Sequence, residues 1–278
     1  MLFRSPYCSE TPSSALAPDL ICIPRNCLTV SRMVEKRLLR MTAHDLKAGG
    51  YDKAVLAVGS TESHGEHLPH GTDTLVAEHL AEAVAERVEG LLVLPGLPYG
   101  MSVHYASFPI AITLTTETLI RVLREVLESL LAHGILRLLI VNGHDGNIPA
   151  IEAATREFRV AHPEMKVAVL EAWWVTAGEL LPEGTFEAWD GLGHGGEGET
   201  SMMLAVEPGL VDMKRAKGTI PDLPEHVQLK WTFDELTPYA VTGDPTKATT
   251  EKGEMMRAAL VECLVSFIEE MDGKGWEI

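Results

Sequence analysis

Short apolar runs alternate along the chain with longer segments of helical periodicity. The apolar runs lie at residues 54–58, 91–94, 138–141 and 167–170. None of them contains a polar position, which is typical of strands that helices cover on both faces. The alternation of such runs with helical patterns predicts an α/β fold with a mostly parallel central sheet.

Three helical patterns separate and follow these runs. Their apolar residues recur three or four positions apart, as Val76, Leu80, Val84 and Val88, as Leu119, Leu123, Val126 and Leu130, and as Met256, Leu260, Leu264, Phe267 and Met271. Thr115 and Thr116 precede the second pattern and are candidates for its N-cap. Each helix is therefore expected to pack its apolar stripe on the sheet.

The segment at residues 221–245 does not continue the alternation of strand and helix patterns, because it is rich in proline and irregular. An excursion of this length predicts a lid over a site or a subunit contact. The composition is even after residue 50 and shows no internal repeat, so we expect one domain at residues 41–278. Residues 1–40 are expected to be a poorly ordered N-terminal extension.

Composition and charge narrow the class of protein. The 278 residues are 46% hydrophobic and carry a formal net charge of -17. The chain lacks the clustered Lys and Arg residues that bind nucleic-acid phosphates, so nucleic acid is not an expected partner. No run approaches the roughly 20 apolar residues of a membrane span. A soluble protein that acts on small molecules or peptides is expected.

The cysteines give no sign of a disulfide framework. Cys8, Cys22 and Cys27 lie in the N-terminal extension, Cys263 lies in the last helical pattern, and no CxxC pair occurs. The extension also lacks the basic region and continuous apolar stretch that mark a secretory signal. A reduced, cytoplasmic protein is therefore expected.

A dense polar cluster, GSTESHGEHLPHGTD, follows the first apolar run at residues 59–73. Ligands of open α/β sheets bind beyond the carboxyl ends of the strands, where these side chains would lie. Glu62 and His64 point the same way on an extended segment, while Asp73 opens the next helix. Carboxylate and imidazole ligands suit Zn, Mn or Fe, and one carboxylate can bridge two ions. A group of solvated loop histidines is the plainer alternative.

Two further polar clusters lie later in the chain. The segment VNGHDGN at residues 141–147 can present His144 to the same edge of the sheet, although taken alone it is equally an ordinary Asn-Gly turn. The segment GLGHGGEGETS at residues 191–201 carries His194, Glu197 and Glu199. It lacks the lysine of a phosphate-binding loop, and taken alone it is most simply a helix cap with acidic residues in the first turn.

Together, the three segments resemble the creatininase family. Its members carry a Gly-Ser-x-Glu-x-His-Gly-x-His-Leu-Pro segment that ends in Asp, then Asn-Gly-His-x-x-Asn, then a His-Ala-Gly-like loop before Glu-Thr-Ser. The order and spacing match over residues 41–215, and the segments at residues 95–100 and 108–109 strengthen the match, with His104 between them. The resemblance implies a three-layer α/β/α domain, commonly in homohexamers, that hydrolyses a C–N bond in a small amide.

The resemblance also implies a centre of two divalent metal ions, Zn or Mn, with Fe as a further option. By position, Glu62 and His144 would hold one ion and His64 the other. Asp73 would bridge the two ions. His194 falls where the family has its catalytic histidine and would protonate the leaving nitrogen.

Two departures from creatininase itself limit what can be carried over. Creatininase has a glutamate two residues after the histidine of Asn-Gly-His, where this chain has Gly146 next to Asp145. Glu199 is our candidate for the missing carboxylate ligand and for a catalytic role. The family's Phe-Pro-Gly-Thr reads Phe-Pro-Ile-Ala at residues 108–111, which alters the pocket wall.

Several side chains near these clusters are candidates for contact with the substrate, by stacking or by hydrogen bonding. They are Tyr99, His104, Asp145, Trp173 and Trp174. The two tryptophans are expected to end the fourth strand, and packing on the sheet is the alternative role for one of them.

The expected function is hydrolysis of creatinine or a similar small amide by a metal-activated hydroxide. Two other activities of the family are alternatives: a deformylase of formamidopyrimidine intermediates in flavin-type cofactor biosynthesis, and a peptidase that matures a redox peptide. An alternative of another class is a metal-binding protein without catalysis. The glycine at position 146 weakens the case for creatinine itself.

Overall fold

The computed structural model describes residues 35–278 with the exception of residues 225 and 228. Residues 35–278 form one compact unit. Most of the expected N-terminal extension, residues 1–34, lies outside the described residues. Residues 35–40 run beside the sheet, where Lys36 O accepts a hydrogen bond from Val93 N at 2.8 Å.

The described residues contain a four-stranded parallel sheet. Its strands are β1 (Lys53–Val58), β2 (Leu91–Val93), β3 (Arg137–Asn142) and β4 (Lys166–Leu170), in the order β2-β1-β3-β4. Ala54 stands opposite Leu92 on one side and Leu138 on the other. The four strands predicted from the apolar runs are confirmed, each to within one residue at its ends.

Seven α-helices precede, connect or follow the strands within the described residues. They are α1 (Ala43–Gly49), α2 (Thr72–Arg87), α3 (Thr116–Ala132), α4 (Ile148–Ala161), α5 (Trp173–Leu180), α6 (Glu197–Val206) and α7 (Thr250–Gly273). Thr115 caps α3, because its hydroxyl accepts a hydrogen bond from Thr118 N at 3.1 Å. None of these helices is long and apolar enough to cross a membrane.

Helices cover both faces of the sheet. Successive side chains of a strand point to opposite faces, so Val55 and Ala57 face α2, α5, α6 and α7, whereas Ala54, Leu56 and Val58 face α3 and α4. Both sets are buried, which is why the central positions of the strands are apolar and polar residues occur only at strand ends. The predicted three-layer α/β/α fold is confirmed.

The strand order places the carboxyl ends of β1 and β3 side by side at the point where the order reverses. The chain runs from β1 through α2 to β2 on one side, and then through α3 to β3 on the other side of β1. Ligands of open α/β sheets bind in the crevice outside such a point. The polar segments that follow β1 and β3 therefore meet.

Candidate metal centre

Four side chains from the segments after β1 and β3 meet at this crevice. Glu62 and His64 come from the turn after β1, and Asp73 comes from the first turn of α2. His144 lies two residues after the end of β3. All four are at most 3% exposed. Acids and imidazoles buried together are costly unless they compensate one another or bind a cation.

Asp73 joins the two halves of this cluster. Its Oδ1 lies 2.9 Å from His64 Nε2, and its Oδ2 lies 3.2 Å from His144 Nδ1. Ser60 Oγ donates a hydrogen bond to the same Oδ2 at 2.6 Å. One carboxylate therefore contacts both imidazoles, as a ligand that bridges two cations would.

Two further carboxylates complete two groups of candidate ligands. Glu62 Oε2 lies 3.3 Å from His144 Nε2, and Glu199 Oε2 lies 3.7 Å from His64 Nε2. In the group of Glu62, Asp73 and His144, the ligand atoms lie within 4.8 Å of one another, and the same holds for His64, Asp73 and Glu199. Asp73 is common to both groups.

The glycine-rich loop before α6 orients Glu199. Gly195 has a φ of 60°, in the left-handed region that glycine adopts without strain. In this conformation its N–H donates a hydrogen bond to Glu199 Oε2 at 2.6 Å. The backbone thus holds the carboxylate that faces His64.

Position 146 has no room for the glutamate that creatininase carries there. A Cβ atom on Gly146 would lie 2.2 Å from Met101 O and 2.5 Å from His144 Nε2. Both distances are far below van der Waals contact, so any side chain would force the backbone to move. Among the described residues, Glu199 is the carboxylate that completes the group of His64 and Asp73.

The surroundings of Glu62 fit a cation. Both of its carboxylate oxygens are buried, and neither accepts a hydrogen bond of normal geometry from the described residues; His144 Nε2 lies 3.3 Å from Oε2. Buried polar atoms are nearly always paired, so this exception calls for a ligand. A divalent cation would satisfy both oxygens, and mixed carboxylate and imidazole groups are ones that Zn and Mn accept.

The charges inside the cluster are strongly shifted. Burial opposes charge on His64, but the carboxylates of Asp73 and Glu199 outweigh it and raise the pKa of His64 to about 10. The carboxylates of Glu62 and Asp73 likewise outweigh burial and raise the pKa of His144 to about 9. Against the effect of burial, the two imidazoles hold the pKa of Asp73 well below its usual value. Protons on the imidazoles thus supply the positive charge that the carboxylates require.

The two outer carboxylates respond differently from Asp73. Burial raises the pKa of Glu62, which the charge of His144 partly opposes. Burial also raises the pKa of Glu199 to about 7, with His64 acting in the opposite direction. Binding of a cation would reverse both effects, because positive charge favours the ionised carboxylate.

His194 lies beside this cluster with its Nδ1 facing inward. Its ring centroid is 4.0 Å from that of His64, and its Nδ1 is 3.7 Å from Glu62 Oε1. Its Nε2 donates a hydrogen bond to Ser63 O at 2.8 Å, which leaves the lone pair on Nδ1. Burial, together with the positive charge of His64, holds the pKa of His194 well below its usual value. His194 also forms a third possible ligand group with Glu62 and His64.

Aromatic side chains pack against His194, and two of them, Tyr105 and Phe233, were not predicted from the sequence. The ring of Tyr105 lies 4.5 Å from His194 and 4.4 Å from Phe233, which comes from the long excursion. His104 contacts the Tyr105 ring at 4.4 Å and stacks at 5.8 Å from His144. No local pattern marks Phe233, because its place over the site depends on how the excursion folds back.

The other residues that were predicted to contact the substrate differ in their exposure to solvent. Trp173 is 1% exposed within the core, and Trp174 packs against the same core. They open α5 rather than end the strand, because β4 stops at Leu170 where its pairing with β3 ends. Tyr99 is 46% exposed, and Asp145 is exposed in the turn after His144.

Comparisons with known proteins point to one family. A model of the creatininase family, described as creatinine amidohydrolase, matches residues 39–268. The creatinine amidohydrolase of Pseudomonas putida is 35% identical over 239 residues, covering 80% of this chain and 91% of that protein. The mycofactocin precursor peptide peptidase of Mycobacterium ulcerans (strain Agy99) is 33% identical over 225 residues, covering 77% of this chain and 83% of that protein. A solved structure named creatininase Mn has a TM-score of 0.72 and 31% identity, covering 84% of this chain and 98% of that one.

The fold and the buried ligand groups define a hydrolase with candidate metal-binding residues. The chain belongs to the creatininase family, which confirms the resemblance found in the sequence. The relatives include both an amidohydrolase and a peptidase, and the structure named with Mn supports divalent metal use.

Proposed function

We propose that this protein hydrolyses a C–N bond in a small molecule, in the manner of creatinine amidohydrolase, with two divalent metal ions as cofactors. The observation that supports this most directly is the pair of ligand groups that share Asp73. The unpaired, buried oxygens of Glu62 add to it, since a carboxylate without donors is what a cation site requires.

In this proposal Glu62 and His144 would hold one ion, His64 and Glu199 would hold the other, and Asp73 would be shared between them. The donor set suits Zn or Mn, with Fe as a further option. When bound, the ions would polarise the scissile carbonyl and lower the pKa of the attacking water.

His194 moves the proton. It is neutral at neutral pH because burial and the charge of His64 lower its pKa, so it begins as a proton acceptor through Nδ1. Water adds to the carbonyl carbon and gives its proton to Nδ1. His194 then returns that proton to the leaving nitrogen as the C–N bond breaks. Ser63 O holds the ring in the required tautomer throughout.

The remaining expectations are also part of the proposal. The substrate would contact Tyr99, His104, Asp145 and, of the two tryptophans, Trp174, because Trp173 is buried in the core. The catalytic domain spans residues 41–278 and works as a homohexamer in the cytoplasm. Neither nucleic acid nor a membrane is a partner.

A peptide substrate is the second candidate, and exposed apolar side chains on the two segments that carry Tyr105 and Phe233 favour it. Val103 and Ile110 on the segment before α3 are 59% and 69% exposed, and Trp231 on the excursion is 54% exposed. Such apolar side chains could contact residues that flank a scissile peptide bond. The similarity to a precursor peptide peptidase points the same way. Formamidopyrimidines remain the third substrate class.

Elemental analysis of the protein, combined with a hydrolysis screen, tests the proposal. We expect close to two ions per chain, and turnover of creatinine, a formamidopyrimidine or a short peptide with Zn, Mn or Fe. His144→Ala should lose metal and activity together. His194→Ala should keep the metal and lose about 10²-fold or more in kcat. Full activity and full metal in His144→Ala would overturn the proposal, and loss of an ion from His194→Ala would make His194 a ligand instead.

A further inference from the structure

Tyr105 occupies a place over the centre that the proposed mechanism does not use. It ends a short 3-10 turn, Val103–Tyr105, and is 4% exposed. Its ring lies 4.5 Å from the ring of His194 and 6.1 Å from that of His144. Both imidazoles bring a nitrogen within 3.7 Å of a Glu62 oxygen. The ring of Tyr105 therefore lies beside the two imidazoles that face Glu62.

Two contacts with the excursion hold Tyr105 in this position. Phe233 packs on its ring at 4.4 Å. Ser107 Oγ, two residues further along the chain, donates a hydrogen bond to Asp234 Oδ1 at 2.7 Å. The orientation of the phenol is thus fixed by packing from outside the centre rather than by a bond to its hydroxyl.

Burial raises the pKa of Tyr105, and the nearby carboxylates of Glu62, Asp73 and Glu199 raise it further. No hydrogen bond to its hydroxyl is formed by the described residues, and the hydroxyl oxygen is not one of their fully enclosed, unpaired polar atoms, so a ligand can reach it. The Tyr51 hydroxyl differs, because its Oη donates to Glu35 O at 3.0 Å. An accessible phenol donor beside a cluster of carboxylates is suited to a ligand group that accepts, such as the oxygen of a carbonyl.

We propose that Tyr105 is a substrate-binding residue of this centre, whose hydroxyl donates a hydrogen bond to the carbonyl oxygen of the amide substrate. The bond strengthens as negative charge develops on that oxygen during attack by water, so it contributes more in the transition state than in the bound substrate. Tyr105 keeps its proton throughout. The inference rests on the proposed function, because it assumes that a carbonyl compound binds here.

Tyr105→Phe tests the inference, since it removes the hydroxyl and keeps the ring that packs on Phe233. Inorganic phosphate serves as the probe, because its tetrahedral oxygens resemble the charged state formed on attack. Its affinity for the metal-loaded protein is measured by titration calorimetry. We expect about 10- to 100-fold weaker phosphate binding in the variant, with unchanged metal content. With a turned-over substrate, we expect the same loss in kcat and little change in KM.

Tyr51→Phe is the matched control, because it also removes one tyrosine hydroxyl but lies at the far end of the sheet from the centre. It should bind phosphate as the original protein does. Equal phosphate affinity in Tyr105→Phe would overturn the inference, and so would loss of metal from a folded Tyr105→Phe protein. A protein that holds metal and binds phosphate but hydrolyses no C–N bond would overturn the proposed function, while the phosphate comparison still decides the role of Tyr105.

Discussion

Two buried glutamates, Glu62 and Glu197, have opposite surroundings. Both are 0% exposed. Glu197 accepts hydrogen bonds from the backbone N–H groups of Glu187 and Ala188, and Lys252 Nζ lies 2.6 Å from its Oε1. Glu62 accepts none from the described residues, and imidazole nitrogens face its oxygens instead.

This comparison indicates that the Glu197 carboxylate stabilises the fold, whereas the Glu62 carboxylate is available to a ligand. The Glu197 carboxylate has a donor for each oxygen and a cation beside it, so it fastens the segment before α6 to α7. No hydrogen-bond donor among the described residues offsets the cost of burying the Glu62 carboxylate. Only a bound cation or protonated neighbours can offset that cost. Burial alone therefore does not identify a functional acid; the pairing of its oxygens does.

Glu199 extends the comparison within one helical turn. It lies two residues after Glu197, which on an α-helix is a rotation of roughly 200°. Glu197 consequently points to α7, whereas Glu199 points to His64. The first turn of α6 thus carries one structural carboxylate and one that faces the candidate metal centre.

Exchange of each buried glutamate for glutamine should give the largest effects. One exchange should affect metal binding and activity, and the other should affect stability. Glu62→Gln should lose metal and reduce kcat/KM by about 10³-fold, equivalent to about 4 kcal/mol, because a ligand is gone. The free energy of unfolding of its metal-free form should change by less than about 1 kcal/mol. Glu197→Gln should instead lower that free energy by about 2–3 kcal/mol, because its amide group presents N–H donors to N–H donors.

Metal content by elemental analysis and unfolding by urea separate these two results. Folded Glu197→Gln protein should keep its full complement of metal. If Glu62→Gln retained metal and activity while Glu197→Gln lost them, the roles assigned to the two carboxylates would be reversed.

Removal of the cation beside Glu197 should produce the next largest effect. Lys252→Met leaves a buried carboxylate without its counter-charge, so we expect a loss of about 3 kcal/mol in the free energy of unfolding. Arg257→Met on the same helix is the matched control. Arg257 pairs with Glu254 at the surface, and its loss should cost at most about 0.5 kcal/mol. Similar losses in both variants would mean that the buried pair contributes no more than a surface pair.

The smallest effect concerns the pH dependence of the metal-free protein. The pKa values of His64 and His144 in the folded protein are about 10 and 9, above the ordinary imidazole value. Their protonation therefore stabilises the fold fully below about pH 6.5 and is lost as the pH rises through those values. We expect the Tm of the chelator-treated protein to fall by at least about 2–4 °C over this range, the shift that about 1 kcal/mol produces.

The metal-loaded protein is the control for this pH effect. Its imidazoles are already deprotonated by the cations, so the same rise in pH should release no further proton from them. A parallel fall of Tm in both forms would assign the effect to other charges on this acidic chain.

The sequence by itself determined the elements of the fold and most of the candidate ligands. Strands buried on both faces must be apolar throughout, so runs such as residues 138–141 indicate strands directly. The ligand candidates Glu62, His64 and Asp73 lie in one short segment after such a strand, and their chemistry is legible there. Thr115 marks the start of α3 for a similarly local reason.

Only the tertiary structure decided which partners each polar group has. Trp173 and Trp174 are adjacent and chemically alike, yet Trp173 is fully in the core and Trp174 only partly buried against it. Glu197 and Glu199 differ in role because Lys252 lies beside one and His64 beside the other. Tyr105 gains its place over the centre from Phe233, far along the chain. Local patterns report propensity and burial, whereas these contacts join residues that are distant in sequence and exist only once the sheet, the glycine-rich loop and the excursion have packed together.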